Sequence, residues 1–163
     1  MTHAVGDILQ TALLAVEDVT VKASEDIEKG EVIYNDGAGF LAAPNTVYES
    51  KLYVALESHV YATVEAAGGR HVIRAAVFGK IVVQKAGQSA IKEGDLVMLS
   101  TTPGEVTLYV KGDAPTGGVS TYYTTVIEAA VQAALDEWEI VLGTCAKDAD
   151  QADTDIDVWV GVK

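Results

Sequence analysis

Residues 26–33 read DIEKGEVI, and residues 90–99 read AIKEGDLVML. Each stretch has an isoleucine, two residues of which at least one is lysine, a glycine, an acid and then an apolar run. Gly30 and Gly94 can take a positive φ without steric cost, so the chain can reverse at each. Glu31 then opens Val32-Ile33-Tyr34, and Asp95 opens Leu96-Val97. Both stretches read as polar hairpin corners that launch a buried strand in a β-rich domain.

Strand-like segments surround these corners at short spacing. DVTVKA (18–23), EVIY (31–34), KLYVALE (51–57) and HVYATVEA (59–66) show the alternation of a half-buried strand. NDGAGF (35–40) is a turn with Asp36-Gly37 as its strongest signal, and AAGG (66–69) is another. RHVIRAAVFGKIVVQKA (70–86) is long, and Gly79 inside it suggests a bulge or a kink between two strands. DLVMLS (95–100) and EVTLYVK (105–111) flank the turn TTPG. EIVLGT (139–144) is a further strand. The last, TDIDVWVGV (154–162), sets Ile156, Val158 and Val160 on one face and Asp155, Asp157 and Trp159 on the other.

One stretch breaks the pattern. TTVIEAAVQAALDEW (124–138) has a Thr125/Glu128 capping box and an apolar stripe of Ile127, Val131, Leu135 and Trp138, so it reads as a helix. Residues 1–16 admit two readings. Asp7 and Gln10 suit a helix start with Leu9, Leu13 and Val16 as its stripe, or the segment is an extended arm. The expected fold class is mainly β: a small β-barrel or sandwich domain over 18–163, an N-terminal arm over 1–17, and an insertion over 112–138 with the helix at 124–138.

Composition bounds the function. The chain has 163 residues, is 49% hydrophobic and carries a formal net charge of −13. That suits one globular domain and argues against nucleic-acid binding, which needs a basic surface. It would suit a basic partner surface. No apolar run approaches the roughly 20 residues that span a bilayer. No Lys or Arg precedes Lys22 and Asp7 is acidic, which argues against a secretory signal. Cys145 is the one cysteine, read as a buried structural thiol.

No catalytic motif emerges. The histidines His3, His59 and His71 have no metal-ligand spacing, and His59 and His71 are expected at most as a cross-strand pair. There is no G-x-S-x-G and no phosphate-binding loop. Asp148 and Asp150 match the start of a calcium loop, but its glycine and closing glutamate are missing, so 148–157 reads as a solvated acidic loop and strand edge. Tyr122, Tyr123 and Trp159 are candidate interface aromatics. No cofactor and no enzymatic activity are expected.

The motifs also come in a telling order. D-I-x-x-G-x-V (26–32), V-A-L-E (54–57), G-x-x-x-V-x-K-A (79–86), A-I-x-x-G-D-x-V (90–97) and a closing valine-rich strand (155–162) follow one another. This series resembles the capsid cement, or decoration, proteins of tailed double-stranded DNA viruses of bacteria and archaea, in the lambda-decoration-protein-like β-tulip group. The resemblance covers roughly 20–100 and 138–163, and its motifs are short and built of common residues. It implies a β-tulip domain on the outer surface of the virion head, commonly a homotrimer, bound to the major capsid protein at quasi-threefold sites without catalysis. It makes Gly30 and Gly94 structural turns. The arm would add a strand to a neighbour's sheet through main-chain hydrogen bonds, with Ile8, Leu9, Leu13, Leu14 and Val16 as its apolar contacts. D-I-x-x-G-E-x-I turns also occur in β-clip domains of the antifreeze-protein-like kind, so a small-ligand module is the alternative reading.

Overall fold

The computed structural model describes residues 8–47, 51–87, 89–110 and 141–161, and for 8–14 the backbone alone. The protein is mainly β, with one curled antiparallel sheet. Its strands are β1 (Ile8–Thr20), β2 (Val32–Asn35), β3 (Phe40–Ala42), β4 (Tyr53–Ala55), β5 (Val72–Gln84), β6 (Leu96–Leu99), β7 (Val106–Leu108), β8 (Val141–Cys145) and β9 (Asp155–Val160). A short helix, α1 (Tyr61–Ala66), lies between β4 and β5.

The spatial order is β3-β2-β4-β5-β9-β8-β6-β7, with β1 also paired to β5. β5 is the hub. Its first half pairs with β4 and with Ala15–Thr20 of β1, and its second half, from Gly79, pairs with β9. Gly79 has φ +138° but lies inside one continuous strand, so it does not divide two strands as the sequence suggested.

Two isolated parallel bridges close the curl. Val21 bridges Phe40, which joins the end of β1 to β3. Lys85 bridges Val106, which joins the end of β5 to β7. The chain therefore makes the same five-strand circuit twice. The first runs β1, β2, β3, β4 and the start of β5; the second runs the end of β5, β6, β7, β8 and β9. Matched pairings support the equivalence. Thr20↔Val72 corresponds to Gln84↔Asp155, and Ala55↔Ala75 to Cys145↔Val158.

The core follows from this doubling. Val19, Val21, Ile27, Ile33, Phe40, Tyr53, Ala55, Ile73 and Ala75 fill the first circuit. Phe40 meets Tyr53 edge-on with ring centroids 5.0 Å apart. Ile81, Val83, Val97, Leu99, Val106, Leu142, Cys145, Ile156, Val158 and Val160 belong to the second. Val32, Val54 and Ala76 join the second cluster from the opposite faces of β2, β4 and β5. All three residues of β4 are consequently buried. The alternation expected in the last strand is present, since Ile156, Val158 and Val160 are buried while Asp155, Asp157 and Trp159 are half-buried.

Two expectations change. Residues 59–66 were expected as a strand, with Val60, Ala62 and Val64 on its buried face; instead Tyr61–Ala66 is α1 and none of its residues is buried. Val60 is 51% exposed, so the apolar alternation there has no core to face. The N-terminal segment, open between a helix and an extended arm in the sequence, is extended from Ile8 and pairs with β5 of its own domain. Its register shifts at Ile8/Gln10, Gln10/Ala15 and Ala15/Val16, and is regular only from Val16. β3, which the sequence reading placed in a turn and loop, was missed: its three residues carry too little periodicity to stand out.

Candidate functional site

The two glycine corners are built alike. Ile27 and Ile91, Gly30 and Gly94, and Val21 and Lys85 are each 64 positions apart (27 to 91, 30 to 94, 21 to 85). Gly30 has φ +87° and Gly94 φ +92°, conformations that side chains with a Cβ rarely take. The Gly30 N–H donates to the Ala55 carbonyl at 2.8 Å, and the Gly94 N–H to the Cys145 carbonyl at 2.9 Å. The acid after each glycine closes its own turn. Glu31 accepts the Glu28 N–H at 2.8 Å, and Asp95 accepts the Lys92 N–H at 2.9 Å. A side-chain oxygen from the next link secures the outer edge: Ser58 accepts from the Lys29 N–H, and Asp148 from the Glu93 N–H. The turn acids Glu31 and Asp95 and the outer oxygens of Ser58 and Asp148 are thus spent on the backbone, which fixes the shape of each corner.

Beyond each corner the halves diverge. Ile27 and His59 exchange both backbone hydrogen bonds, as do Ile91 and Ala149. After His59 the first half places α1. After Ala149 the second half places the acidic loop. There Lys85, 3% exposed, replaces Val21, and its Nζ donates to the Asp150 and Asp153 carbonyls at 3.1 and 3.3 Å. Asp153 in turn accepts the Asp150 N–H at 2.7 Å. The backbone N–H of Glu93 holds the Asp148 carboxyl below its ordinary value, with nearby Lys92 adding to the effect. A shallow cleft of about 100 Å³ lies beside this loop, lined by Lys147, Asp148, Ala149, Asp153, Asp155, Ile156 and Asp157. Among the described residues, no group of three His, Cys, Asp or Glu side chains is placed to hold a metal ion.

The interface candidates are scattered. Val16 is 39% exposed on β1, opposite Ala76. Ile8, Leu9, Leu13 and Leu14 lie on the same strand, where the backbone alone is described. Trp159 lies on β9 beside Lys80 of β5, whose Nζ is 5.9 Å from its ring centroid. Tyr122, Tyr123 and the 124–138 helix fall outside the described residues, as does the whole of the expected insertion, 112–138. That segment belongs to the β7–β8 link, 109–140. The equivalent β3–β4 link of the first half is the short 43–52.

Cys145 is buried, and its Sγ–H donates to the Lys147 carbonyl at 2.9 Å. Burial raises its pKa, which suppresses thiolate chemistry. His59 and His71, expected at most as a cross-strand pair, do meet, with ring nitrogens 3.2 Å apart. No described helix is long and apolar enough to cross a membrane. The chain matches no protein-family model, no curated protein and no solved structure in the comparisons made.

Proposed function

We propose that the protein is a capsid decoration protein. It binds the major capsid protein on the outer surface of an icosahedral virion head, as a homotrimer at quasi-threefold sites, and ties neighbouring capsomers together. The observation that carries this reading is the ordered motif series, whose members all fall on framework positions. Two are the glycine corners, one runs through β4, one is the second half of β5, and the last runs along β9. A chain whose distinctive residues build its framework suits a structural role. No catalytic role is assigned to any residue.

Three copies on one site multiply weak contacts through avidity. β1 supplies the proposed capsid contact. From Val16 it is locked onto β5, while its earlier part pairs irregularly. That part, with Ile8, Leu9, Leu13 and Leu14, would exchange its irregular pairing with β5 for a neighbouring strand edge.

Co-sedimentation with undecorated, expanded heads tests the proposal. Saturable binding near one copy per capsid subunit is expected. Removing residues 1–14 should weaken attachment while leaving the domain folded, because Ala15–Thr20 keep their pairing with β5. A monomer that ignores heads and melts later with a small ligand would favour the β-clip reading instead.

A further inference from the structure

His59 is 3% exposed, and its Nδ1 is buried without a hydrogen-bond partner. Its Nε2 is 3.2 Å from His71 Nδ1, and His71 Nε2 is 2.8 Å from the Glu65 carboxylate. With both rings neutral, one proton arrangement satisfies these contacts. His71 donates from Nε2 to Glu65 and accepts on Nδ1 from the Nε2–H of His59. The His59 Nδ1 is then a bare acceptor, the less costly kind of buried orphan.

Helix α1 has no buried residue to hold it in place. Its described ties are the Glu65–His71 pair, the Tyr61 ring stacked on His71 at 4.0 Å and 15°, the same ring tilted against His59 at 6.0 Å, and the Tyr61 N–H donated to Asp26 at 2.7 Å. Three of these four run through the two histidines. The geometry points to a proton-operated latch: His59, His71 and Glu65 hold α1 over the end of the first circuit, and protonation of His59 releases it.

The charges around His59 set the direction. A proton on Nδ1 would add a charge at a buried nitrogen that has no side-chain partner. Burial, then His71, lower the proton affinity of His59, and its own backbone, then Asp26, oppose them more weakly. Glu65 and Tyr61 face His71 from α1. The opened form lacks these constraints and takes up the proton at the ordinary histidine value, about 6.5. The closed form is therefore fully favoured above that pH and loses its advantage as the pH falls below it.

Hydrogen exchange of the full chain at pH 7.5 and 5.5, expressed as protection factors, tests this. The reporters are the Val64, Ala67, Gly68 and Gly69 amides, which donate within the α1 turn. Their protection should fall as much as about tenfold at the lower pH, the limit for one proton over one pH unit, while β5 and β9 amides hold. His59→Gln, which keeps a donor for His71 but cannot charge, should abolish the fall. Unchanged protection in the natural protein, or an equal fall in His59→Gln, overturns the latch. If His59→Gln does not fold, ring-nitrogen NMR of the natural protein decides: proton uptake by His59 together with loss of protection supports the latch, and uptake with α1 still protected overturns it.

Discussion

Gly94 and Gly143 resist substitution for different reasons. Gly94 has φ +92° with open space around it, so Gly94→Ala meets only backbone strain. We expect a loss of about 1 kcal/mol in urea denaturation. Gly143 has an ordinary backbone, but a Cβ there would sit on the Trp159 carbonyl of the paired β9 strand. Gly143→Ala should cost about 4 kcal/mol or more, or prevent folding. The first constraint can be read from a glycine between charged residues and an apolar run. The second cannot, because the carbonyl that forbids a side chain lies 16 positions away in sequence (143 to 159). Cys145 was legible as a structural thiol from its apolar run. It should ignore a disulfide exchange reagent in the native protein at pH 8 and react once urea unfolds the chain. Rapid native reaction would contradict its burial.

At the level of elements, short range and long range compete. The span 59–66 alternates like a strand, yet it forms α1 because its partners are distant. Asp26 takes the first helical N–H, and His71 receives both Tyr61 and Glu65. None of these contacts leaves a periodic trace in the segment itself. The acidic loop has a similar hidden cause. Its aspartates are exposed, as their repetition suggested, yet its backbone closes over the buried Lys85 ammonium, 65 residues from Asp150. Lys85→Met should keep the side-chain volume and strand the two carbonyls. We expect a loss of about 1–3 kcal/mol and faster amide exchange over 150–153, with the first half unaffected. A variant as stable as the natural protein would mean that water serves those carbonyls equally well.

For the whole molecule, the organising fact is a five-strand circuit made twice around β5. The sequence displays this at the corners, where 64 residues separate matched positions, and then conceals it. Beyond β7 the 109–140 link lengthens the second half, so Ala55 matches Cys145 at a separation of 90 (55 to 145). Matched core positions also differ in residue type, as with Val21 and Lys85. The mainly β class was therefore readable from alternation and corners, while the doubling needed the hydrogen-bond pattern. The proposed capsid role draws on motif order and on a net charge of −13, which would suit a basic docking surface. The most direct test is a cryo-electron-microscopy map of undecorated heads incubated with the purified protein. The account expects trimeric density at the quasi-threefold positions outside the shell, into which the doubled β circuit fits with β1 toward the capsid. Heads that remain bare at saturating protein, beside a free monomer that binds a small ligand, would contradict it.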